Sequence, residues 1–121
     1  MNFADLIGAP YKEHGRSKEE GFDCYGLAIE CCKRAGTPLV DLDLAVSSLP
    51  DSEVAKYARG MNIERIPAAR PGALAEMEYN GNLHIGYMVD RQNVLHTTQK
   101  GVKLTFIGAC KVKAFYKVVD K

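Results

Sequence analysis

The sequence predicts a single α+β domain spanning residues 1–121, with helices first and an antiparallel sheet after them. Two observations carry that prediction. One is an apolar stripe at helical period, in which Leu27, Ala28, Cys31, Cys32 and Ala35 recur between Cys24 and Ala35. The other is a change of character after Gly60, where short alternating runs are separated by Gly, Asn and Asp.

Phe3 to Ile7 reads as a short apolar helix, stopped by Gly8-Ala9-Pro10. Tyr11 to Gly21 is polar and charged and reads as a surface loop. The helix from Cys24 to Ala35 has Asp23 at the N-cap position, and Gly36 followed by Pro38 stops it. Asp41 to Ser48 suits a short helical turn. Asp51 to Arg59 suits a helix capped by Asp51 or Ser52 and stopped by Gly60. The expected strands are Asn62–Ile66, Gly72–Met77, Leu83–Val89, Val94–Thr98, Val102–Phe106 and Val112–Val118.

Composition narrows the function classes. A hydrophobic fraction of 46% and a charged fraction of 26% suit a soluble globular protein that folds without staples. The net charge of +1 and the scatter of basic residues give no reason to expect nucleic acid as a partner. No run is long enough for a membrane span, and Met1 to Gly8 lacks the pattern of a secretory signal. Cytoplasmic synthesis without membrane insertion is therefore expected. Cys24, Cys31 and Cys32 fall on one predicted helix, where disulfide geometry is poor, so reduced thiols are expected.

Cys24 falls in the first turn of its helix. Unpaired N–H groups and the helix dipole favour an anion there, which should lower the thiol pKa and could hold an oxyanion. Gly26, two residues on, is expected to let a substrate or a strand come close. The alternative is that Cys24 is a small buried thiol. Of the three histidines, His14 lies in the polar loop and is expected to be exposed. His84 shares a strand face with Gly86 and Met88, which should leave space above the sheet. An odd hairpin loop, Val89–Arg91 or Asp90–Gln92, would put His96 on that same face, where a ring nitrogen could orient His84. Otherwise each His is a half-buried strand residue bonded to backbone. Zinc-type pairs are absent, although Cys24, His84 and His96 could still meet as three ligands in space. Paired carboxylates, phosphate loops and a Ser elbow are also absent.

Gly21-Phe22-Asp23-Cys24-Tyr25-Gly26-Leu27 resembles the F-D-C-S-G-L nucleophile motif of the NlpC family of cysteine peptidases. Leu83-His84-Ile85-Gly86-Tyr87-Met88 is similar to that family's H-V-G-I-Y, and Val94-Leu95-His96 to its third motif. Pro71-Gly72-Ala73-Leu74 resembles its P-G-D-L turn, and Ala9-Pro10-Tyr11 through Gly15 its P-Y-x-x-G element. The resemblance runs from about Ile7 to Tyr116. It implies a papain-like fold, with a Cys-bearing helix packed on a His-bearing antiparallel sheet. It implies a cofactor-free peptidase of bacterial cell-wall (peptidoglycan) stem peptides, with Cys24 as nucleophile, His84 as base and His96 as orienting residue. Tyr11 matches a Tyr near the thiol and Asp23 an Asp that helps hold substrate. Short members occur in phage tails, so tail proteins are expected partners, and the virion tail or delivery to the wall an expected location. The alternative is a tail-assembly protein with a vestigial site. Tyr25 replaces the usual Ser and is expected to reshape the substrate pocket. Ala73 replaces the usual Asp.

Overall fold

The computed structural model describes residues 3–41, 60–79 and 81–120. The helical turn expected from Asp41 to Ser48, apart from Asp41 itself, and the helix expected from Asp51 to Arg59 lie outside the described residues.

Phe3–Ile7 is realised as a single 3-10 turn over Ala4–Leu6. The polar loop contains a two-stranded antiparallel ladder, β1 (Arg16–Ser17) and β2 (Gly21–Phe22). Helix α1 spans Cys24–Arg34, and the Asp23 carboxylate accepts from the Gly26 N–H at its start. At its end Gly36 has φ +80, Gly36 N–H donates to the Lys33 carbonyl and Thr37 N–H to the Cys32 carbonyl. These paired bonds terminate the helix because only glycine adopts that conformation at little cost.

All six expected strands form, in one antiparallel sheet. They are β3 (Ile63–Ile66), β4 (Leu74–Tyr79), β5 (Asn82–Met88), β6 (Asn93–Thr98), β7 (Gly101–Phe106) and β8 (Lys111–Val118). Their spatial order is β3-β8-β4-β5-β6-β7. After β7 the chain makes a 3-10 turn at Ile107–Ala109 before returning as β8 beside β4.

The sheet has apolar residues on both faces. On one, Leu83, Ile85, Tyr87 and Leu95 form a core with Leu27, Ala28, Cys31 and Cys32 of α1. The helical stripe read from the sequence is therefore the packing face, and each fully buried Leu contributes about 2 kcal/mol. On the other, Met77, Met88 and Val94 pack with Ile107, Cys110 and Phe115. The alternation of β5 assigns His84, Gly86 and Met88 to this second face. The space expected above Gly86 is filled. A Cβ there would meet Val94 Cγ2 at 2.3 Å and Met77 Cε at 2.9 Å.

No described helix is long and apolar enough to cross a membrane.

Candidate active site

The site begins with an irregularity in the sheet. Strands β6 and β7 pair over their whole length, but β5 and β6 pair only at Tyr87↔Leu95 and Met88↔Val94. Beyond those pairs the two strands part, and the start of α1 enters between them. The Thr97 hydroxyl of β6 donates to the Asp23 carbonyl at 3.4 Å. The Ile85 N–H of β5 faces the Cys24 thiol and favours its anion. Cys24 thus sits against the residue that follows His84.

This position buries the thiol. Cys24 is 1% exposed, and desolvation pushes its pKa up to about 12. The nearby Asp23 charge adds to the rise, while the N–H groups of Ile85, Tyr25 and Cys24 itself oppose it. The expected lowering of the thiol pKa at the helix start is therefore overturned. The donors are present, but loss of water costs the anion more than they return. All four cysteines are free thiols.

The histidines meet. Asp90 accepts from the N–H groups of Gln92 and Asn93, and Val89 N–H donates to the Asn93 carbonyl. The hairpin loop is therefore Asp90–Gln92, an odd loop, and His84 and His96 lie on one face as diagonal neighbours. His84 Nε2 and His96 Nδ1 are 3.0 Å apart, and His96 Nε2 is 2.8 Å from Thr105 Oγ1 of β7. Tyr79 stacks on His84 with ring centroids 4.9 Å apart. Both rings are buried and both pKa values are lowered. Burial pulls His84 down to about 4, with the His96 charge adding to it. Burial and then Lys103 lower His96. Both imidazoles are neutral at pH 7.

His84 Nδ1 makes no hydrogen bond among the described residues, where no buried side-chain nitrogen or oxygen lacks a partner. This nitrogen therefore meets solvent. Both rings line a cleft of about 540 Å³, whose other walls include Tyr79, Thr105, Cys110 and Lys111. Cys24 is not one of its walls, and no hydrogen bond joins the Cys24 thiol to either ring.

The remaining site candidates have structural contacts. Asp23 is fully buried, and its carboxylate takes hydrogen bonds from Gly26 N–H at 2.7 Å, His14 N–H at 3.2 Å and Arg16 at 3.0 Å. It is committed to the helix cap and the preceding loop rather than offered to substrate. Tyr25 is 0% exposed, and its hydroxyl donates to the Val40 carbonyl while Arg16 lies over its ring. The expectation that it shapes a substrate pocket is corrected: its bulk fills the core. Tyr11 is exposed and forms a parallel bridge with Phe22, two residues before Cys24. His14 is exposed, with φ 63. What Gly26 admits is neither substrate nor strand but the loop, since a Cβ there would lie 1.9 Å from the Gly15 carbonyl oxygen.

Thr105 and Tyr79 were absent from the sequence-based set. Each reaches the histidines through strand pairing across the sheet, and the one local signal was their alternation with neighbours on β7 and β4. Among the described residues no three metal-ligating side chains gather closely enough to hold an ion. Neither the protein-family models nor the curated proteins contain a match to this chain.

Proposed function

We propose that this chain is a cysteine peptidase or amidase of papain-like, NlpC type, acting on amide bonds in bacterial cell-wall stem peptides. The observation that carries the chemistry is the hydrogen-bonded series Thr105–His96–His84. It ends in a solvent-facing His84 Nδ1, one residue before Ile85, whose N–H meets the Cys24 thiol. The wall-peptide substrate rests on the motif resemblance.

The protonation states define the route. With a neutral thiol and a neutral imidazole, attack proceeds by general-base catalysis rather than from a stored thiolate. As the Cys24 sulfur bonds to the amide carbonyl carbon, His84 Nδ1 accepts the thiol proton. The Cys24 N–H at the helix start, which already favours the thiolate, supplies a donor for the oxyanion. His84 then passes its proton to the leaving amine, and a water deprotonated by His84 hydrolyses the thioester.

A second reading has one specific observation behind it. The depth of Cys24, with its thiol pushed up to about 12, suits a tail-assembly or structural protein whose site is vestigial. Incubation with purified peptidoglycan and defined stem peptides, followed by mass analysis, separates the two. The peptidase reading expects new amine and acid termini from the wild type and a loss of roughly 10³-fold or more in Cys24→Ala. Intact peptides, or equal cleavage by Cys24→Ala, would overturn it.

A further inference from the structure

From the two ring contacts of His96 we infer that Thr105 is a positioning residue, whose hydroxyl accepts from His96 and thereby makes His84 Nδ1 the basic atom of the site. The inference rests on the proposed hydrolase reading and adds a member to its machinery.

The argument is one of donor and acceptor counting. A neutral imidazole has one N–H and one lone pair, and the bond made by one nitrogen fixes the role of the other. Two self-consistent arrangements exist for the contacts at 2.8 Å and 3.0 Å. In the first, Thr105 donates to His96 Nε2. His96 Nδ1 then carries the proton and donates to His84 Nε2, so His84 Nδ1 must be an N–H. That arrangement presents a donor to the cleft and no base. In the second, Thr105 accepts from His96 Nε2–H. His96 Nδ1 then accepts from His84 Nε2–H, and His84 Nδ1 presents a lone pair to solvent.

Two physical reasons select the second arrangement. It places both rings in the Nε2–H form, the intrinsically favoured tautomer of a histidine side chain. It also survives the reaction. When His84 gains a proton it becomes a donor at both nitrogens. In the second arrangement its Nε2–H still meets a lone pair on His96, so no hydrogen bond has to turn. In the first, Nε2–H would confront the Nδ1–H of His96, donor against donor across 3.0 Å. Polar groups already set for the charged state lower the barrier because they need no reorganisation. Thr105 is the group that can take the His96 proton-bearing end, and its hydroxyl hydrogen remains available to water because the residue is half-buried.

The test is imidazole ¹H–¹⁵N spectroscopy of the full chain at neutral pH, with Thr105→Val and Thr105→Ser beside the wild type. Wild type should show both rings protonated at Nε2, with a pyridine-type shift at His84 Nδ1. Thr105→Val, nearly isosteric and suited to a strand, should shift His84 toward a tautomer mixture, and Thr105→Ser should restore the wild-type pattern. In stem-peptide turnover the Val variant should lose about tenfold in kcat with KM unchanged, and the Ser variant should recover it. Protonation of His84 at Nδ1 in the wild type, or identical tautomers in all three proteins, would overturn the inference. Absence of turnover in every protein, including wild type, would sink the hydrolase reading while the spectra still decide the role of Thr105.

Discussion

Strand β6 has two very different boundaries. Toward β7 it pairs at six positions, from Asn93↔Phe106 to Thr98↔Gly101. Toward β5 it pairs at two. The first boundary is scaffold: it holds Thr105 opposite Val94 and fixes the face on which His96 projects. The second is open, and the start of α1 fills it. The contrast shows how a sheet can deliver a side chain into its own plane. Ladder bonds are given up over a few residues, and a capped helix end with its own N–H groups occupies the gap.

Protonation at the open boundary should have the largest effect. His84 has a folded pKa of about 4 against an ordinary 6.5, so the unfolded chain takes the proton first as pH falls. The linkage makes stability rise with pH across that window and fall as pH drops from 6.5 toward 4, by about 3 kcal/mol in all. Urea midpoints at pH 7 and pH 4 check this. His84→Gln should flatten that part of the slope, and an unchanged slope would remove the charge argument. Next comes the fit of the helix start. Gly26→Ala forces a Cβ against the Gly15 carbonyl and should cost about 2 kcal/mol, read as a lowered melting temperature. A neutral result would mean that the loop yields freely. The smallest effect is expected at the seam's side-chain tie. Thr97→Val removes a 3.4 Å hydrogen bond and should cost under about 1 kcal/mol. A larger loss would mean that this bond holds the helix in the gap.

Much of the architecture was legible because it is local. The period of α1, its Asp23 cap and the alternation of the six strands are properties of neighbouring residues. The shared face of His84 and His96 was legible as a condition on loop parity, and the Asx turn at Asp90 meets that condition. The environment of each side chain was not legible. Tyr25 follows the thiol in sequence but turns into the core, and Asp23 spends its carboxylate on Gly26, His14 and Arg16. The helix-start argument for a low thiol pKa named the right donors and missed the desolvation that outweighs them.

The chain alone thus determines where helix and strands begin, which faces are apolar, and which residue types are available for the proposed roles of nucleophile and base. Periodicity and capping act over a few residues and need no knowledge of the rest. Three matters belong to the tertiary structure: the depth of Cys24, the opened seam between β5 and β6, and the presence of Thr105 behind His96. Each depends on segments distant in sequence competing for the same space and the same water, and that competition is settled only when the sheet closes around the helix.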